Sequence, residues 1–167
     1  STGLDGKQYF VPQSWYPWGL HYRKSMVKEL GLDPENIATF DDMIKMFDAM
    51  KKKGLVGFAA GDKGGWEAMG TFDIINARVN GYQFHVDLLA GREKWTDQRV
   101  IDVFKQWELL LPYTNKNVLD LEWDGAMQLL LQKKAGSTLM GSWFGGNFKE
   151  KSQEDYDDLW IVPFPEI

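Results

Sequence analysis

Apolar residues recur at helical spacing in several separate stretches of the chain. Phe40, Met43, Ile44, Phe47 and Met50 fall on one face of a helix running to Lys53. Thr39 stands at its N-cap with Asp42 three residues on, a weaker form of the capping box. Asp41 and Asp42 lie at the positive end of the helix dipole, and Lys51–Lys53 lie at the negative end before Gly54. A second helix is predicted from Asp97 to Leu111, with Val100, Ile101, Phe104, Trp107 and Leu111 inward and Pro112 ending it. A third, Trp123–Lys134, turns Ala126, Met127, Leu130 and Leu131 inward, and a fourth, Trp66–Val79, uses Met69, Phe72, Ile75 and Val79. Shorter helices are predicted at Ser25–Leu30, Tyr82–Ala90 and Ser142–Lys149.

Short apolar runs between these helices suit buried strands: Leu55–Ala60, Ser137–Met140 and Leu159–Val162. With Tyr9–Val11 and Leu20–Arg23 they make about five strands, and their alternation with helices predicts an α/β domain with a largely parallel sheet. Asn115–Asp120 reads as a flexible loop.

Composition narrows the picture. At 167 residues with 44% hydrophobic positions, the chain can bury a real core as one domain or a substantial piece of a larger one. A net charge of −5 with no basic stripe argues against nucleic acid as a partner, since the one lysine run is accounted for by a helix end. The absence of cysteine excludes disulfides, thiolate metal sites and a cysteine nucleophile. No apolar run reaches the length of a membrane span. The unusual feature is aromatic content: eight Trp, ten Phe and six Tyr.

Sites in an α/β sheet lie outside the carboxyl ends of its strands. After Tyr9–Val11 come Trp15, Tyr16 and Trp18 in a proline-set loop, where a plain hairpin would carry a pair such as Asn-Gly. After Leu55–Ala60 come Asp62, Gly64, Gly65, Trp66 and Glu67, and after Ser137–Met140 come Gly141, Ser142, Trp143 and Phe144. Ring faces with a few carboxylates suit a sugar, whose axial C–H faces pack on indoles while its hydroxyls donate to Asp or Glu. Gly141 would let a ligand approach the backbone, and Ser142 is placed to cap the helix that follows. The plain alternative is that these tryptophans are core residues or loop plugs.

Other chemistry has less support. Asp62 and Glu67 could form a glycosidase pair, but their spacing across a Gly-rich loop says nothing of carboxyl separation. Asp41-Asp42 and Asp157-Asp158 read as capping or solvated turns. His21 and His85 lie far apart and give no metal centre, and His21 reads as a packed or edge histidine. The Gly61–Gly65 loop lacks the Gly-Lys-Ser/Thr ending of a phosphate loop. No Ser-His-Asp arrangement can be read.

The order of "GKQYFVPQSWYPWGLHYRKSMVKELGL", "TFDDMIKMFDAMKKKG", "GFAAGDKGGWEA", "AMQLLLQKKAGSTLMGSWFGG" and "DLWIVPFPEI" resembles the extracellular solute-binding proteins of ABC importers. The likeness is to their maltose-binding-protein-like, sugar-binding branch, and it covers nearly the whole chain from about Leu4. The resemblance implies the C-terminal lobe of a type II periplasmic-binding-protein-like fold: three layers around a mostly parallel sheet, with ligand gripped between two lobes. On this reading residues 1–3 are a cloning remnant and residues 4–167 are a single lobe whose partner lobe and closing helices are absent. Tyr16, Trp66 and Trp143 match places where the family touches sugar, and Asp62 or Glu67 matches a polar contact region. The candidate ligand-binding set is Trp15, Tyr16, Trp18, Asp62, Trp66, Glu67 and Trp143, with no catalytic residue, metal or cofactor.

The implied function is sugar capture without turnover, delivering to the membrane subunits of an ABC transporter. The implied location is periplasmic or extracellular, with a lipid anchor on the full-length protein. Other members bind glycerol phosphates, polyamines or metal ions, but no arginine cluster or dense acid pairing is visible here. An isolated lobe is expected to lose most ligand affinity and to self-associate through its uncovered face. The readings from other classes are a carbohydrate-active enzyme domain and a non-catalytic interaction domain.

Overall fold

The computed structural model describes residues 3, 5–11, 13–14 and 16–167. Strand β1 (Trp18–Arg23) leads into α1 (Lys24–Glu29) and α2 (Phe40–Lys52), and β2 (Val56–Ala59) precedes the long α3 (Trp66–Leu89). Then come α4 (Gln98–Glu108), a 3-10 turn at Leu111–Tyr113, α5 (Trp123–Leu131) and β3 (Ala135–Gly141). The chain continues through α6 (Trp143–Lys151) and α7 (Gln153–Asp158) to β4 (Leu159–Val162). Among the described residues no helix is long and apolar enough to cross a membrane.

Among the described residues the sheet has four strands, in the order β2-β3-β1-β4. β2 pairs parallel to β3, while β1 pairs antiparallel to both β3 and β4. Three strands therefore run one way and β1, inserted among them, runs the other. Pleating sends successive side chains to opposite faces. Phe58 and Leu139 join one core with Leu20 and Tyr22, while their neighbours Ala59 and Met140 join a second. The first core holds the buried faces of α1 through α4, and the second those of α5 and α6, which gives helix, sheet and helix layers.

The local signals explain most elements. Thr39 and Asp42 form the full capping box, so the pattern at the start of α2 is realised in both directions. Asp97 caps α4 by accepting from the Arg99 N–H at 2.9 Å. The two helices expected across Trp66–Ala90 are present, joined into α3 across a break at Gly81. Its φ of 81° and ψ of 162° are accessible to glycine and costly for other residues.

Several expectations change. Tyr9–Val11 is not a strand of the sheet; Tyr9, Phe10 and Val11 are exposed, so the sheet has four strands rather than five. The buried residues of α4 are Val100 and Val103, while Ile101 and Phe104 stay exposed. The apolar stripe is wider than the contact, and Phe104 packs its ring beside Phe72 and Trp107. The Asn115–Asp120 loop is anchored: Asn115 is buried, donates to the Ala60 carbonyl and accepts from the Ala60 N–H. Asp158 is more than a solvated turn residue. The Arg23 guanidinium, 3% exposed, reaches Asp155 at 2.5 Å and Asp158 at 3.1 Å, and Asp158 also accepts from the N–H and hydroxyl of Ser25. A helix too short to show a period, α7, is thereby pinned to β1. His21 is packed as expected: burial holds its imidazole down at about 4.

Two stability outcomes follow from these packings. Phe47 is fully buried and Lys52 exposed, so Phe47→Ala is expected to cost about 3–5 kcal/mol and Lys52→Ala less than about 0.5 in urea denaturation. Equal losses would contradict the assigned face of α2. Arg23→Ala strands two carboxylates beside a buried site, and a loss of about 2–4 kcal/mol is expected. A change within error in the same assay would show that the Arg23 pairs are dispensable.

Candidate functional site

The direction of β1 decides which loops meet. Because it runs against β2 and β3, its first residue lies at their carboxyl end, and Trp18 pairs with Gly141. The Ser142 N–H donates to the Pro17 carbonyl at 2.9 Å, tying the loop before β1 to the one after β3. Tyr16, Trp18, Trp66 and Trp143, drawn from the three aromatic groups read from the sequence, thus converge on one edge, while Phe144 is buried in the second core. Sequence reasoning placed the first group after a strand; it lies before one, and reversal of that strand brings it to the same place.

Trp18, half-buried, is the centre of the cluster. Its ring meets Trp143 at 5.8 Å and Trp66 at 6.0 Å, both nearly edge-on, and it packs against both cores. A Cβ at Gly70 would collide with the Trp18 ring, so that glycine of α3 is the seat for the indole. Trp66 and Trp143 lie 6.1 Å apart at an interplanar angle of 40°, and Tyr16, 52% exposed, stands edge-on to Trp143 at 5.6 Å. The edge-to-face contacts of Trp18 and Tyr16 hold the ring planes, and Trp66 and Trp143 are only partly buried. Trp15 lies outside the described residues.

Two details of the Trp143 step differ from expectation. The space above Gly141 is taken by the Trp143 ring itself, with which a Cβ there would clash. Ser142 lies in helical rather than extended conformation, so its hydroxyl makes no side-chain cap, while its N–H donates to the Pro17 carbonyl. Gly141 therefore leaves the room that the Trp143 indole occupies.

The two acids divide in role. Asp62 caps α3: its Oδ1 accepts from the Ala68 N–H at 2.9 Å, and its own N–H donates to the Val118 carbonyl at 2.8 Å. Lys63 N–H donates to the Leu121 carbonyl, so the turn between β2 and α3 is stitched to the loop before α5. Glu67 does not join the aromatic face. It is 4% exposed, with both carboxyl oxygens buried and without a hydrogen-bond partner. It borders a cavity of about 140 Å3 together with Phe58, Thr71, Trp107, Leu111 and Val118. Burial pushes its carboxyl up to about 7, and the nearby charges of Asp62 and Glu122 add to the shift.

Gly70, Asn115 and Glu122 were not singled out from the sequence. An isolated glycine inside the Trp66–Val79 pattern was the available sign of close packing at Gly70. A groove of about 650 Å3 near Thr39, Ile44, Leu109 and Ile167 shares no residue with the aromatic cluster. Among the described residues no group of His, Cys, Asp and Glu could hold a metal ion.

The model for bacterial extracellular solute-binding proteins matches residues 1–167. An uncharacterized ABC transporter extracellular-binding protein of Pyrococcus horikoshii is 30% identical over 144 residues, 86% of this chain and 33% of that protein. A probable sugar-binding periplasmic protein of Rhizobium meliloti is 25% identical over 134 residues, 76% of this chain and 31% of that protein. The crystal structure of the bacterial solute receptor AcbH, described as having an exclusive preference for β-D-galactopyranose, superposes with a TM-score of 0.87. It is 39% identical and covers 100% of this chain and 41% of its own. The chain thus spans about a third of the length of these two curated relatives. With its α/β layers and a family match along its whole length, the chain belongs to the bacterial extracellular solute-binding proteins.

Proposed function

We propose that this chain is the C-terminal lobe of a two-lobe sugar receptor serving an ABC importer, and that Trp143, Trp66 and Tyr16 form the platform on which the sugar lies. The observation that carries the reading is the convergence of these rings at the carboxyl edge of the sheet, held in place by Trp18. A platform open on one side suits a cleft whose other wall is a second lobe. The likeness to a galactopyranose receptor favours a neutral sugar.

The function is capture without turnover. Asp62 is engaged in capping and Glu67 faces a cavity lined largely by apolar groups, so neither is free to flank a glycosidic bond. The receptor acts in the periplasm or outside the cell, anchored by lipid in its full-length form, and docks on the transporter's membrane subunits. The isolated lobe self-associates, with Tyr9, Phe10 and Val11 among the apolar side chains it exposes.

In the two-lobe protein, Trp143→Ala is expected to weaken sugar binding by about 2–4 kcal/mol, as for an aromatic anchor. The ring is half-exposed, so far-UV circular dichroism of the variant should match the parent. The isolated lobe should bind in the millimolar range, roughly, or below detection. Titration calorimetry with D-galactose and a panel of neutral oligosaccharides measures both. Unchanged affinity in Trp143→Ala, or its unfolding, would return Trp143 to the role of a core plug. Hydrolysis of a chromogenic glycoside by the purified protein would favour the enzyme reading instead.

A further inference from the structure

We propose that Glu67 is a positioning residue for the platform: as an uncharged acid it completes the packing of the turn that presents Trp66, and its ionisation loosens that turn. The effect on sugar binding rests on the reading above; the effect on the turn does not.

Glu67 follows Trp66 directly in the first turn of α3. Its carboxyl oxygens are buried and unpartnered at the edge of the 140 Å3 cavity. The titratable groups that act on it are Asp62, from the turn after β2, and Glu122, from the start of α5. The described cavity lining from β2, α4, the 3-10 turn and the 114–119 segment contributes no titratable side chain. A carboxylate in that setting meets negative neighbours and no cation, and its charge must be hydrated or expelled. Hydration requires either water in the cavity or an outward swing of the side chain. Both disturb the same turn, where Asp62 holds the Ala68 N–H and the Val118 carbonyl.

The direction with pH is fixed. Glu67 is held above its ordinary value of 4.5, at about 7. Its support of the turn is fully present below pH 4.5 and is lost as pH rises through about 7.

The test is hydrogen exchange read by mass spectrometry on the whole chain at pH 5.5 and 8.5, comparing wild type with Glu67→Gln and Glu67→Met. Protection factors correct for the intrinsic pH dependence of exchange, and the 40–52 helix serves as internal reference. In wild type, protection over residues 62–72 should fall about tenfold relative to that helix between the two pH values. In both variants the ratio should stay constant, since neither side chain can ionise. Constant protection in wild type, or the same loss in the variants, overturns the proposal. In the two-lobe protein, D-galactose affinity should fall several-fold over the same pH span in wild type and stay level in Glu67→Gln. Absence of sugar binding at both pH values, with the exchange pattern intact, would overturn the sugar reading and leave the positioning of Trp66 standing.

Discussion

Main-chain hydrogen bonds along both sides of β1 hold the centre of the sheet. A strand paired at each edge cannot rotate or slip without moving every side chain to the wrong face. Here it alternates Leu20 and Tyr22 into one core with His21 toward Phe144 on the other side. Its first residue, Trp18, is carried by the same ladder into register with Gly141. The placement of the aromatic edge is thus a consequence of strand register. The ring contacts among Trp18, Trp66 and Trp143 refine a position that main-chain hydrogen bonds have already set.

The sequence was most legible where a short pattern carries its own physics. The cap at Thr39 and the apolar stripe of α2 could be read because local hydrogen bonds and helical period fix them without reference to distant residues. The division of α3 near Gly81 could be read for the same reason. Strand direction could not. Alternation of helices and strands is compatible with β1 running either way, and only pairing with β3 and β4, more than a hundred residues later in the chain, decides it. The buried face of α4 was misjudged because large apolar residues at Ile101 and Phe104 outweighed the smaller Val103 that in fact meets the core.

The candidate site was legible as residue types and less so as roles. Tryptophans at three expected strand ends, two of them beside glycines, pointed to one edge of the sheet, and Trp18, Trp66 and Trp143 do meet there. That Trp18 is the wedge, Gly70 its seat and Asp62 a cap depends on contacts between segments far apart in sequence. Glu67 shows the difference most plainly. Its position beside Trp66 reads as a ligand contact, yet its carboxyl is buried at the edge of a cavity lined by none of the four clustered rings.

The order of strands also bears on how copies of the chain behave toward one another. The two inner strands span six and seven residues, while each outer strand spans four. One outer strand, β2, is bridged at Phe58 by Thr114 and clipped at its end by Asn115. The other, β4, is followed at once by Pro163, which has no N–H to offer a ladder, and Lys24 lies 5.1 Å over its Trp160 ring. Short, capped margins of this kind give an unfolded or misplaced strand little to add to. The polypeptide can carry broad aromatic surface at one end of its sheet without presenting a template for fibrils along its sides.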